Sequence, residues 1–150
     1  MAAKTVPVSG EFVPPIVNGG TVQVAKVTVG SPGSTGMDVD LSGEAVVTPL
    51  FNVKAGTIVY DMLAKVVTAF TASAALTLGD SDDVDGYMTV TELVSTVISS
   101  EFRSSKASTA LTAIYQFGKA YAADQTIDVV AGATFAVGQM DVYLVYARVG

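Results

Sequence analysis

The chain has 150 residues with 8 basic and 14 acidic side chains, a net charge of −6, and neither histidine nor cysteine. Ser-His-Asp and Cys-His catalytic sites, imidazole and thiolate metal ligands, and disulfides are therefore excluded. Half of the residues are apolar, enough for one globular core, but only 15% are charged, which is below the roughly 25% of soluble domains and predicts docking on a partner or self-association.

The sequence does not point to a membrane or to nucleic acid as a partner. Pro7 and Gly10 lie where a secretory signal needs an unbroken apolar core, so no signal peptide is predicted. Polar residues interrupt every apolar run before it reaches about eighteen residues, the length of a membrane span. The basic residues are scattered through an acidic chain of pI near 4.3, which offers no basic stripe for phosphates.

Residues 1–20 interleave proline and glycine with apolar side chains, a pattern that predicts an extended N-terminal arm. Proline lacks a backbone donor and fixes φ, so this segment cannot be a central strand. Two interpretations stay open: a terminus that is frayed or packed on the edge of its own domain, and an arm that lies on a neighbouring subunit or partner. The candidate contact residues of the second interpretation are Phe12, Val13, Pro14, Pro15, Ile16 and Val17.

Residues 21–150 are predicted to form a single all-β domain. Valine and threonine dominate, and these β-branched residues favour strands over helices. Short candidate strands separated by Gly, Pro, Ser and Asp predict a sandwich or a barrel. In chain order the candidate strands are 21–29, 37–41, 45–53, 57–70, 74–78, 111–121, 126–130, 135–137 and 141–149.

Several of these strands carry a more specific expectation. The apolar phase of 21–29 changes midway, which predicts a bulge near Ala25 and Lys26. Pro49 is expected to break the strand 45–53. The last strand, 141–149, is apolar on both faces, which predicts that it is central or covered by another chain.

Residues 57–70 fit either a strand or a helix. We favour a strand because β-branched residues are frequent at both ends of its apolar run. The residues predicted to share one face of this strand are Ile58, Tyr60, Met62, Ala64 and Val66.

Residues 89–102 are the one candidate helix. Thr89 and Glu92 have the spacing of a capping box, and apolar residues follow at helical intervals. The serines and threonines between them are weak helix formers, so an edge strand or a loop remains an alternative. The domain is therefore expected to contain at most one short helix.

Residues 80–85 form the only charge cluster. Counted from Ser81, the residues Asp83, Asp85, Gly86 and Glu92 match positions 3, 5, 6 and 12 of an EF-hand-type calcium loop. Position 1 is serine instead of aspartate, however, and a strand precedes the loop where an EF-hand has a helix. Asp-Gly turns are common between strands, so a surface turn is favoured over a calcium site.

No catalytic motif is present. Gly-x-Ser-x-Gly is absent, and Gly118-Lys119 is followed by Ala120 where a P-loop needs Ser or Thr. The clustered acids share one turn, whereas glycoside hydrolysis needs two carboxyl groups facing each other across a cleft. We predict that the protein is not an enzyme and takes no cofactor or metal.

Two segments resemble small structural proteins of tailed bacteriophages. They are residues 55–88, AGTIVYDMLAKVVTAFTASAALTLGDSDDVDGYM, and residues 126–150, TIDVVAGATFAVGQMDVYLVYARVG. The resemblance lies in a strand leading to a Thr-Ala-Phe turn at 68–70, a short strand, a Gly-Asp turn at 79–80 and a closing apolar strand. It implies a jelly-roll-like antiparallel β-sandwich without catalytic residues, most like a capsid decoration (cement) protein, and it does not extend to the arm.

The resemblance also implies how such a protein works. A decoration protein binds the assembled shell of the major capsid protein and stabilises it by mass action, through protein–protein contacts on the capsid surface of the virion. It would be made in the host cytoplasm and form a homo-oligomer, a trimer or a dimer. The alternative is a tail, baseplate or head-fibre component, while a secreted carbohydrate-binding sandwich fits less well because no signal peptide is predicted.

Overall fold

The computed structural model of the protein describes residues 6–7, 21–32, 35–41, 43–71, 74–90, 101–103, 115 and 118–149. These ranges contain strands and turns but no helix, and so none that could cross a membrane. The strands are β1 (Val6–Pro7), β2 (Gln23–Gly30), β3 (Val39–Asp40), β4 (Val47–Val53), β5 (Thr57–Thr68), β6 (Leu76–Asp80), β7 (Met88–Val90), β8 (Glu101–Arg103), β9 (Lys119–Tyr121), β10 (Gln125–Ala131) and β11 (Gln139–Arg148).

The strands form two sheets that pack as a sandwich. One sheet has the order β1-β4-β10-β6-β7, and the other has the order β3-β2-β11-β5-β8, with β9 also paired to β5. One set of antiparallel pairs is nested along the chain: β2 with β11, β4 with β10, β5 with β8 and β9, and β6 with β7. Two further antiparallel pairs, β10 with β6 and β11 with β5, complete the sheets. A nested hairpin wrapped over two sheets is a jelly roll, so the predicted all-β sandwich is confirmed.

The strand β2 is regular, and the bulge predicted near Ala25 and Lys26 is wrong. Its pairing with β11 runs without interruption from Gly30 to Gln23. Alternate residues from Ala25 to Val29 face the core, while Val24 points outward and is 63% exposed. The apparent change of phase arises because an apolar residue lies on the outer face.

The strand over residues 57–70 is confirmed as β5, but its predicted faces are wrong at the N-terminal end. Val59 and Met62 are both buried, although residues three positions apart point to opposite faces of a regular strand. The pairing of β5 with β11 shifts at this point, so that Tyr60 is the extra residue of a bulge and is 44% exposed. A bulge reverses the alternation, which places Ile58 on the outer face instead of the inner one.

Pro49 does not break its strand. The strand β4 continues through Pro49, and its pairing with β10 shifts between Ile127 and Asp128, where Leu50 is the extra residue. The bulge accommodates the missing proline donor while Leu50 and Phe51 both stay buried.

The C-terminal strand is central, as predicted. β11 lies between β2 and β5. Met140, Val142 and Leu144 are fully buried, and Tyr143 and Val145 are half-buried on the opposite face.

Other predicted elements differ from the structure. Residues 136–137 form bends because their backbone N–H groups donate to the Thr71 hydroxyl at 3.0 and 3.3 Å, and not to a strand. The predicted helix 89–102 is wrong at both ends, which belong to β7 and β8, and its interior 91–100 lies outside the described residues. Among the described residues of the predicted strand 111–121, residues 119–121 form β9 and Tyr115 lies in a turn, while 111–114 and 116–117 lie outside the described residues.

The arm is described only at β1, which pairs in parallel with Phe51 and Asn52 of β4. The proposed contact residues, 12–17, lie outside the described residues.

Candidate functional site

Asp80, the last residue of β6, is the centre of a buried polar cluster. Its side chain is 0% exposed. The carboxylate accepts hydrogen bonds from Lys119 Nζ and the Tyr121 hydroxyl, both at 2.7 Å, and from the Tyr115 hydroxyl at 3.2 Å. Because β6 and β9 belong to different sheets, this cluster ties the two halves of the sandwich together.

Aromatic rings enclose the Asp80–Lys119 pair. The Tyr87 and Tyr121 hydroxyls lie 2.8 Å apart, and the Tyr87 and Tyr115 rings meet edge to face at 5.1 Å. The Lys119 ammonium lies 4.5 Å from the centre of the Tyr115 ring and 4.9 Å from that of Tyr121, within cation–π range. The Tyr115 ring packs so closely on Gly86 that any Cβ there would collide with it.

The surroundings keep both members of the pair charged. Burial acts to raise the pKa of Asp80, but hydrogen bonds from Lys119, Tyr121 and the Asp82 N–H outweigh it and lower that pKa below its ordinary value. Burial acts to lower the pKa of Lys119, but hydrogen bonds to Asp80, Asp82 and Tyr115 raise it above the ordinary value. Burial raises the pKa of Tyr121. The carboxylate oxygens of Asp80 thus accept hydrogen bonds from donors of the same chain, as in a structural ion pair.

The acidic turn is more buried than the sequence indicates. It was predicted as a surface turn, and Asp82 fits that prediction with a side chain that is 59% exposed. Asp80, in contrast, caps the turn from inside by accepting from the N–H groups of Asp82 and Asp83 at 3.0 and 3.2 Å. Its partner Lys119 is 39 residues away, so no local pattern signals the pair.

The candidate calcium loop is described at Ser81, Asp83, Asp85 and Gly86. The Asp85 N–H donates to Asp83 Oδ1 at 3.3 Å, the neighbouring Asp83 side chain raises the pKa of Asp85, and Glu92 lies outside the described residues. In the ranges that the structure describes, no three His, Cys, Asp or Glu side chains are arranged to hold a metal ion.

A polar cleft of about 530 Å³ flanks the same turn. Lys54 and Asp124 at its rim form an ion pair at 2.6 Å, and Gln125 Nε2 donates to Asp82 at 3.5 Å. The charged groups of the lining are therefore engaged with groups of this chain. The cleft is lined by Asn52, Val53, Lys54, Ser81, Asp124, Gln125 and Thr126.

The outer face of the β2-β11-β5 sheet is the candidate contact surface. In the strand register Val24 lies beside Val145, and Tyr143 lies between Lys26 and Leu63. Lys26 forms an ion pair with Asp141 at 2.9 Å, and the apolar residues of this face lie between that ion pair and Asp61, which is opposite Val145 on β5. We define this outer apolar face as Val22, Val24, Leu63, Tyr143 and Val145.

Sequence reasoning found only part of this surface. The apolarity of the last strand on both faces indicated Tyr143 and Val145. Val22 and Val24 are 57% and 63% exposed, whereas the predicted bulge would turn them to the same face as Val27 and Val29. Their exposure is the observation that makes this face a candidate for protein contacts.

No protein-family model and no curated protein sequence matches the chain. Among solved structures, a chain of the cyanophage Pam1 capsid asymmetric unit matches with a TM-score of 0.58 and 17% identity, over 99% of this chain and 100% of that one. This protein has the fold of phage capsid chains.

Two further capsids contain a similar chain. One is the acidic stable capsid of Helicobacter pylori bacteriophage KHP30, with a TM-score of 0.54, 12% identity and coverage of 85% of this chain and 93% of that one. The other is the capsid of Ralstonia phage GP4, with a TM-score of 0.55, 15% identity and coverage of 93% and 92%. The matches span nearly the whole of both partners, so the likeness concerns the complete jelly roll and not one shared hairpin.

Proposed function

We propose that the protein is a bacteriophage capsid decoration (cement) protein, a non-enzymatic component of the virion that binds the assembled shell of the major capsid protein. The observation that carries this proposal is the near end-to-end fold match to chains of three phage capsids. All three come from capsids, which favours the head over the tail, baseplate or head-fibre alternative. The protein is made in the host cytoplasm and resides on the capsid surface.

The physical character of the domain fits this role. The Asp80 cluster holds the two sheets together, so the sandwich presents its surfaces as a rigid body. Ion pairs such as Lys26–Asp141 and Lys54–Asp124 are satisfied within the chain, which leaves apolar and backbone groups for contacts with neighbours. A protein that binds the assembled shell more tightly than its separate pieces stabilises the shell without any chemical step.

The N-terminal arm is the proposed shell contact. β1 pairs with β4 at the rim of the sandwich and forms the edge of that sheet, and the proposed contact residues follow it in the sequence by five to ten positions. The contact residues are those predicted from the sequence, at positions 12–17.

The arm is tested by replacing Phe12 and Ile16 with serine in the full chain and measuring cosedimentation with shells that lack the protein. We expect an unchanged melting temperature and weakened binding. Val84→Ser, at an exposed turn position of the domain, is the matched control and should bind like wild type. Unchanged occupancy of the Phe12→Ser, Ile16→Ser variant would rule out the arm as the contact.

The assignment to the head is tested by stoichiometry. Densitometry of denaturing gels of purified virions gives the ratio of this protein to the major capsid protein. A decoration protein occurs in numbers comparable to the shell subunit, whereas a tail, baseplate or fibre component occurs in a small fraction of that number. A ratio in the second range would contradict the proposal.

A further inference from the structure

The strand β2 has one side, which we call its open side, that no described strand pairs with over residues 23–27, although the two residues of β1 approach β2. One edge of β2 pairs with β11 along the whole strand, but the opposite edge pairs with β3 only at Val29 and Gly30. Within the described part of the chain no strand pairs with this other side of residues 23–27. Sheet edges of this kind are templates for another strand.

The hydrogen bonds of Thr28 show which backbone N–H and C=O groups of β2 point to the open side. The Thr28 carbonyl accepts from the Asp38 N–H at 2.8 Å, and the Thr28 N–H donates to the Asp38 carboxylate at 3.0 Å, both on the side away from β11. Backbone groups alternate along a strand, so the N–H and C=O of Val24 and Lys26 point to the same open side. Val22, in line with them just before β2, is placed likewise.

The side chains at this edge do not protect it. Natural edge strands are usually guarded by unpaired lysines, prolines or bulges. β2 is regular, and its only charge, Lys26, is neutralised by Asp141 and lies over the Tyr143 ring at 5.7 Å. Val22 and Val24 beside it are among the most exposed apolar residues described.

We propose that β2 pairs antiparallel with β2 of a second copy, about a two-fold axis at Val24. In this register Val24 faces Val24 of the other copy, and Val22 faces Lys26. The outward groups of these three residues form six backbone hydrogen bonds, and the two β2-β11-β5 sheets become one continuous sheet.

The charges of this register favour a second copy as the occupant. The two Lys26 residues lie at opposite ends of the paired segment, each compensated by the Asp141 of its own chain, so no uncompensated like charges meet. The aliphatic stem of Lys26 covers Val22 while its ammonium stays in solvent. A two-fold interface uses the same patch twice, and this edge is self-complementary in that sense.

A single cysteine tests the register directly. The chain has no cysteine of its own, so Val24→Cys introduces the only thiol. Directly opposed residues of a hydrogen-bonded antiparallel pair have Cα atoms about 5.5 Å apart, within the range that a disulfide spans. Under mild oxidation Val24→Cys should form a disulfide dimer nearly completely, while Val47→Cys, on an exposed strand position of the other sheet, should form at least tenfold less.

Analytical ultracentrifugation of the full chain tests the association itself. Wild type should sediment as a dimer at micromolar concentration. Val24→Pro removes only an outward N–H, which leaves the pairing with β11 intact, and should raise the dimer dissociation constant at least tenfold with an unchanged far-ultraviolet spectrum. Val24→Lys should do the same if the proline variant fails to fold, and Val47→Lys should stay dimeric.

Three results would overturn the proposal: a monomeric wild type at about 100 μM, an oligomer that Val24→Lys leaves intact, or equal cross-linking of the two cysteine variants. The inference does not depend on binding to a shell. A dimer without shell affinity would contradict the proposed function alone, and shell binding by a monomer would contradict the dimer alone.

Discussion

The Asp80–Lys119 pair allows a sharp test of how much a buried ion pair stabilises this sandwich. The perturbation is Lys119→Met, which keeps an unbranched apolar stem of nearly the same length and removes the ammonium group. The Asp80 carboxylate then stays buried with its hydroxyl and backbone donors but without a counter-charge. Removing one partner of a buried pair costs about 3–5 kcal/mol.

The expected loss lies at the lower end of that range, about 3 kcal/mol, because the Lys119 side chain is 15% exposed. The chain offers a matched control in Lys54→Met. Lys54 and Asp124 form the same kind of pair at 2.6 Å, but their side chains are 48% and 59% exposed. Exposed pairs contribute about 0–1 kcal/mol, so the control should be nearly neutral.

Urea unfolding at neutral pH, followed by far-ultraviolet circular dichroism, measures both variants. An unchanged slope with a lower midpoint would show that stability alone has changed. A loss of about 3 kcal/mol corresponds to a fall in melting temperature of roughly 6–12 °C for a domain of this size. If Lys119→Met cost no more than Lys54→Met, the buried cluster would not be the tie between the sheets that the distances indicate.

Three further predictions follow from the same region. The pKa of Asp80 is lowered in the folded state, so its contribution to stability is present above the ordinary aspartate pKa and is lost as the pH falls through the lowered folded value. The pKa of Lys119 is raised, so its contribution to stability is lost only as the pH rises above the ordinary lysine pKa. The stability gap between wild type and Lys119→Met, measured by urea titration across pH, should therefore be a plateau between about pH 4 and 10, and a gap that persists in strong acid would contradict it. Burial raises the pKa of Asp128, whose Oδ1 has no partner among the described residues, so Asp128→Asn should stabilise by roughly 1 kcal/mol at pH 7 and by nothing below the ordinary aspartate pKa; calorimetry that shows destabilisation at pH 7 would refute this. Gly79→Ala would place a Cβ against the backbone oxygen of Asp83 and should cost about 2–3 kcal/mol, which a melting temperature within a degree of wild type would disprove.

The sequence predicts the fold class well because composition and alternation are local properties. β-branched residues and short turns are enough to indicate an all-β sandwich, and the two-faced apolarity of β11 indicates its central place. The alternation of a bulged strand is different. Tyr60 is recognisable as a bulge only from its register against β11, which is a property of two strands and not of one.

The polar cluster is hidden for a related reason. Asp80 appears in the sequence as one of several acids in a turn, and only the packing of the two sheets brings Lys119 and Tyr121 of β9 to its carboxylate. The exposure of Val22 and Val24 is not evident from the sequence because an apolar residue on an outer face has the same sequence signature as one on an inner face. Whether an apolar face of a strand is buried depends on what packs against that face, which the sequence of the strand alone does not specify.

The most direct test of the central claim is the affinity of the purified protein for assembled shells compared with unassembled capsid subunits, together with the melting temperature of the shells with and without it. We predict saturable binding to assembled shells, much weaker binding to separate subunits, and a higher melting temperature for decorated shells. Equal affinity for both forms, or an unchanged melting temperature at full occupancy, would contradict the account.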